Sequence, residues 1–291
     1  MSRVIVEPRV VEAGRGFAWW SEGWRIFRSS MGTWIGVFIV YVIVSALVSI
    51  VPFVGAVAHS LLTPVFVGGL MMGCRALDHG EPLRMSHLFE GFQGTQFVPL
   101  MTIGAVNIAL VLGLMALTSA GVIGTANIGS LGSFSDPMDA LRGSALALTG
   151  TTALVMILVL LLASVFMMLN WFAPALVALR GVPPIQAMKL SFIATLRNWV
   201  PFLLYGLAVV IAGVALLLAF AGVAFVFGAG AMMNGSVAGG MGAVVGLVFL
   251  LFIGGIFLAI VFGPIAIGSI YAGFKDTLDD DDATVTNPAR W

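Results

Sequence analysis

The chain has 291 residues, of which 60% are hydrophobic and 9% charged, with no formal net charge and a mean hydropathy of +1.11. A soluble domain is about 45–50% apolar and about 25% charged, so a water-soluble fold is excluded and lipid is the expected solvent. Neutrality gives no reason to expect nucleic acid as a partner, and the single cysteine, Cys74, excludes an intrachain disulfide and a cysteine-based metal cluster.

Residues 1–33 read as a cytoplasmic N-terminal segment carrying an amphipathic interfacial helix. Phe17, Trp20, Trp24, Phe27, Met31 and Trp34 step by three and four residues, which predicts one apolar helical face. Arg25 and Arg28 are expected largely opposite it. Aromatic rings backed by arginines suit a helix in the headgroup layer, drawn to anionic lipid.

Six uncharged runs follow, at about Trp34–Val51, Val54–Cys74, Phe97–Gly121, Ala153–Leu176, Val200–Phe227 and Ala243–Ile270. Each is long enough for a helix crossing a ~30 Å hydrocarbon core, and none shows the alternation of a barrel strand. Pro52 to Gly55 should turn the first pair tightly. Thr125–Arg142 and Gly228–Gly242 read as loops. Ala56-Val57-Ala58 has the form of a signal-peptide cleavage site, but the apolar stretch before it exceeds ~7–15 residues and another follows, so the first helix is expected to stay. Every Lys and Arg except Arg142 falls on one side of this topology. That side is expected to be cytoplasmic, with both termini there. Residues 34–275 are then a six-helix transmembrane domain, and residues 276–291, with Asp279 to Asp282, a disordered acidic tail.

The second and sixth runs end alike: Pro64, Gly68, Gly73 and Arg75 match Pro264, Gly268, Gly273 and Lys275 at a constant offset. The fourth run gives a weaker version at Pro174 and Arg180. The fold class expected is therefore all-α, a polytopic bundle of about six helices arranged as three hairpins, each introduced by an interfacial amphipathic segment. Pro64 and Pro264 each remove a backbone donor, while Gly68, Gly73, Gly268 and Gly273 offer close helix packing.

The stretch Pro64 to Gly68-Gly69-Leu70, then Gly73-Cys74-Arg75-Ala76-Leu77, Gly80-Glu81 and Leu88-Phe89-Glu90-Gly91-Phe92 resembles an uncharacterised family of proteobacterial multi-spanning inner-membrane proteins. A tryptophan-rich N-terminus is a further point of similarity. Ala173-Pro174 through Asn198-Trp199 is similar to a hairpin unit of broader bacterial multi-spanning families. The resemblance implies the inner membrane and carries over no active site.

Candidate chemistry is sparse. No predicted helix core contains Asp, Glu, Lys or Arg, which argues against a carrier built on a buried carboxylate. His79 and His87 flank Glu81 at no established metal spacing and are expected to be solvated loop residues. No Walker A, G-x-S-x-G or H-E-x-x-H sequence occurs, so no catalytic residue, metal or cofactor is expected. The function expected is a non-enzymatic membrane-organising or interaction component. Its expected partners are the bilayer with its anionic headgroups and a membrane protein or second copy. The alternative is a permease or channel for a lipid or small neutral solute.

Overall fold

The computed structural model describes residues 7–130, 137–233 and 237–279. Among them the chain forms α1 (Arg15–Ser29), α2 (Met31–Ser49), α3 (Val54–Asp78), α4 (His87–Glu90), a 3-10 turn at Gly94–Gln96, α5 (Phe97–Ser130), α6 (Pro137–Asn170), α7 (Ala173–Arg180), α8 (Pro184–Arg197), α9 (Trp199–Met233) and α10 (Val237–Leu278). Six of these helical stretches are long and apolar enough to cross a membrane. The protein is an all-α polytopic bundle.

Two boundaries depart from expectation. The segments expected as loops are largely helical, since α5 reaches Ser130, α6 starts at Pro137, α9 reaches Met233 and α10 starts at Val237. Glycine and serine weaken a helix, but the already nucleated apolar turns below them hold it; residues 131–136 and 234–236 lie outside the described residues. At 1.5 Å per residue a helix of about 34 residues measures ~50 Å, well beyond a ~30 Å core. At the other end, α10 continues past Lys275 through Asp276, Thr277 and Leu278, the last two buried. These three residues belong to the bundle rather than to the expected tail, because Leu278 and Thr277 have a packed surface to join. Residues 280–291 lie outside the described residues.

Each hairpin is α2–α3, α5–α6 or α9–α10, and a short segment precedes each. That segment packs on the exit of the preceding hairpin: α4 on α3, α8 on α6 and α7, and α1 on α10. The last contact closes the chain into a ring. Neighbouring hairpins also meet directly, α3 against α5 and α10 against α2, whereas no comparable packing joins α6 to α9 among the described residues. That seam is bridged at its foot by rings: Trp171 meets Phe202 at 5.5 Å and Tyr205 at 5.6 Å, both edge-on.

The core sits at the end that carries α1, α4, α7 and α8. Its largest fully buried side chains include Trp19, Trp34, Phe172, Phe274, Met71 and Leu88. Farther along the spans the helices present apolar side chains outward, and the most apolar stretch of Ala153–Arg180 has no residue buried inside the protein. In water that would be a fault; in lipid it is the ordinary outer face of a span. Local signals stop α7 cleanly. Gly181 adopts the left-handed region (φ 64°), which lets Val182 N–H return to the Leu176 carbonyl at 3.2 Å before Pro183 and Pro184 start α8.

Candidate membrane interface

The predicted six-residue stripe divides because α1 and α2 are separate helices, broken at Ser30 (φ −145°, ψ 46°). Phe17, Trp24 and Met31 are exposed, while Phe27 and Trp34 are fully enclosed by the protein's own core. Trp34 Nε1 donates across the break to the Ile26 carbonyl at 3.2 Å. Trp20 is half-buried and stacks on Tyr205 with ring centroids 5.2 Å apart. Arg25 and Arg28 are exposed. Arg28 stands one turn beyond Trp24 and shares its face, so the arginines border the exposed aromatics rather than opposing them.

The inner face of α1 is the seam Gly16, Trp19, Gly23 and Ile26. A Cβ on Gly23 would come within 2.4 Å of the Ile265 carbonyl, and one on Gly16 within 2.1 Å of the Pro201 carbonyl. Only glycine allows α1 to lie directly on α10 and α9. Charge completes the joint. Arg15 donates to Asp276 from Nε at 2.7 Å and from Nη2 at 2.9 Å, and also reaches Glu22 at 2.8 Å. Trp19 Nε1 donates to the same Asp276 carboxylate at 2.7 Å. The hydrogen bond to Asp276 holds the Arg15 guanidinium above its usual range, with the two carboxylate charges adding to it.

The N-terminal segment is strapped across this joint. Asn198 accepts from Val11 N–H and donates to the Arg9 carbonyl, both at 2.8 Å, while Arg9 N–H donates to the Thr277 carbonyl at 2.8 Å. Lys275 and Asp78, 2.6 Å apart, tie α10 to α3, and Arg180 pairs with Asp279 at the foot of α7.

The same division between a buried and an exposed face occurs in the other two preceding segments. Around α4, Leu88 is buried whereas Met85 and Phe89 are exposed beside Arg84. On α8, Ala187, Met188 and Ala194 are buried whereas Ile185, Ile193 and Leu196 are exposed beside Lys189 and Arg197, with Trp199 exposed at the start of α9.

Of the matched proline–glycine ends, Gly73 faces the α4 segment and Gly268 faces α1, whereas Gly68 faces α5 and α7. Pro64 and Pro264 are buried within continuous helices. A Cβ on Gly68 would come within 2.8 Å of Leu100 and one on Gly73 within 2.8 Å of Leu83. On Gly268 it would lie 3.0 Å from Gly23, and on Gly273 3.4 Å from Trp19 and Phe172. Sequence reasoning missed Trp19, Gly23, Asn198 and Asp276. The first two had a signal: Gly16, Trp19, Gly23 and Ile26 also step by three and four, a small-and-large seam beside the aromatic stripe. Asn198 and Asp276 act across the whole chain length, which spacing cannot show.

A probable inner membrane protein of Burkholderia thailandensis is 31% identical to this chain over 202 residues, covering 68% of this chain and 73% of that protein. No family model matches the chain, and no solved structure matches it.

Proposed function

Because this chain belongs to the same family of inner-membrane proteins as that Burkholderia protein, we propose that it is a non-enzymatic membrane-organising component whose α1, α4 and α8 lie in the headgroup layer. The observation that carries this reading is the shared design of those three segments. Each buries one face on a hairpin exit and leaves an apolar face exposed with a cation beside it. Burying part of Phe17, Trp24 and Met31 at ~25 cal/mol/Å² favours the interface by about several kcal/mol. Each exposed cation adds on the order of 1 kcal/mol near an anionic surface. The same cations support a cytoplasmic placement of this end and of both termini. A cysteine at Ser130 should accordingly react with an impermeant maleimide from the periplasmic side, and one at Glu7 only after the membrane is opened; the reverse pattern would invert the topology.

Full-length protein in mixed bilayers tests the lipid reading. Spin-labelled anionic lipid should be enriched at the protein surface over neutral lipid. Arg25→Gln with Arg28→Gln should lower that enrichment by up to roughly thirtyfold, at about 1 kcal/mol for each cation, and raised salt should mimic the loss. No preference in the unaltered protein would remove the reading's support.

One observation favours the alternative of a permease or channel for a lipid or small neutral solute. The described parts of α6 and α9 do not pack on each other as the other neighbouring hairpins do, which leaves a lateral seam above the Trp171–Phe202 contact. Saturable flux by purified protein in proteoliposomes would favour it over the organising role.

A further inference from the structure

The exit of α3, the α4 turn, the 3-10 turn and the end of α7 surround a polar groove of about 690 Å³ that none of the contacts above occupies. Its size is that of a small-molecule site, ~300–1,000 Å³, but those are mostly apolar. Here Arg75, Glu81, His87, Glu90, Gln93 and Gln96 supply the walls. His87 is not the solvated loop residue expected from sequence. Its side chain is 10% exposed, and the residue packs against Gly73 of α3.

The hydrogen bonds at His87 leave its outer nitrogen for a ligand. Nδ1 accepts from Arg84 N–H at 2.9 Å, which places the ring proton on Nε2 in the neutral imidazole. Nε2 lies 3.5 Å from Glu90 Oε1, beyond the ~2.7–3.2 Å of a formed hydrogen bond. A donor on a largely buried ring and a nearby acceptor thus line the groove at a separation too long for a formed hydrogen bond. Arg75 Nη1 donates to the Leu179 carbonyl at 3.1 Å, which pins the guanidinium to the wall. The Glu81 backbone N–H donates to the Ala76 carbonyl at 2.8 Å, while its carboxylate makes no hydrogen bond or ion pair among the described residues. The C-terminal end of α3, at Asp78, opens beside the groove and adds partial negative charge.

The groove therefore offers N–H donors at Arg75 and His87 together with carboxylates at Glu81 and Glu90. No group of three or more His, Cys, Asp or Glu among the described residues is placed to hold a metal ion, so the complement sought is an organic ion of both signs. We propose that the groove binds a zwitterionic headgroup joining a phosphate to a primary ammonium. Phosphate oxygens take the Arg75 and His87 donors, and the ammonium N–H groups go to Glu81 and Glu90. A quaternary ammonium has no N–H to give, and an anionic headgroup without an amine meets the two carboxylates unpaired.

The proposal rests on the headgroup-level placement of α4. A micelle experiment tests the groove without a bilayer, so its failure is distinguishable from failure of that placement. Full-length protein in detergent is titrated with dihexanoyl phosphatidylethanolamine, with its choline and glycerol counterparts, and with free phosphoethanolamine, and binding is read by native mass spectrometry. The ethanolamine lipid should bind at least about tenfold tighter than the other two lipids, the worth of one charge-assisted hydrogen bond. Glu81→Gln with Glu90→Gln should erase that preference while leaving the unliganded melting temperature unchanged. Free phosphoethanolamine matching the lipid would assign the site to the soluble compound, and weaker binding would assign it to the membrane lipid; both outcomes support the chemistry. Equal affinity for the three lipids in the unaltered protein overturns the proposal without need of any variant, as does a preference that survives loss of both carboxylates.

Discussion

Gly23→Leu should yield almost no folded protein, whereas Gly32→Leu should express like the unaltered chain. The contrast is steric. At Gly23 the first added atom would lie 2.4 Å from the Ile265 carbonyl oxygen and 2.8 Å from the Ser269 nitrogen, both of them backbone. Backbone cannot turn aside as a side chain can, so α1 must lift off α10. Overpacking alone costs ~1–3 kcal/mol, and the lift also breaks the contacts of Arg15 and Trp19 with Asp276. At Gly32 nothing lies within 4 Å, and replacing a helical glycine is neutral or favourable by up to ~1 kcal/mol. Size-exclusion profiles of detergent-extracted protein read the difference directly. Similar monodisperse yields from both variants would mean that α1 does not rest on α10.

The second large effect is expected at Asp276. Asp276→Ala removes the shared acceptor of Arg15 and Trp19 and should cost about 2–3 kcal/mol, the usual penalty for stranding charge-assisted donors. Arg15 is about one-third exposed, with 36% of its side chain accessible, so solvent screening should hold the pairwise term to ~1 kcal/mol. A cycle of Arg15→Ala, Asp276→Ala and the double variant, followed by denaturant unfolding in micelles, isolates that term. Trp19→Phe keeps the ring and deletes only the indole donor, so it should account for about a further 1 kcal/mol. Additive single losses would show that the ion pair contributes nothing to closing the ring.

The spans were legible in the sequence because lipid imposes one demand on every residue of a crossing, and an uncharged run of sufficient length meets it. Helix ends were less legible. Ser130 and Met233 belong to helices because the turns below them carry the cost of nucleation, and composition alone marks such glycine-rich ends as loops. The aromatic stripe misled in a specific way. Periodicity assumes one helix, and the break at Ser30 reassigns Trp34 to the start of α2, where it turns into the core. Phe27 follows it inward, leaving Phe17, Trp24 and Met31 outside. The repeated Pro64/Gly68/Gly73 and Pro264/Gly268/Gly273 ends were visible as a pattern. What each end receives was not, because α4 and α1 reach α3 and α10 from very different sequence distances. The polar groove was hidden for the same reason: His87 reads as a loop histidine until Gly73 of α3 is found packed behind it.

The placement of α1, α4 and α8 in the headgroup layer is tested most directly by depth. Spin labels at Phe17→Cys, Phe89→Cys and Ile193→Cys, in full-length protein with Cys74→Ser, can be compared for access to oxygen and to a water-soluble nickel chelate in a bilayer. The three labels should report one common depth, about 5–10 Å into the boundary between headgroups and acyl chains. Free access of the nickel chelate to all three, with oxygen access no higher than for a label in water, would put these faces in the aqueous phase and contradict the account.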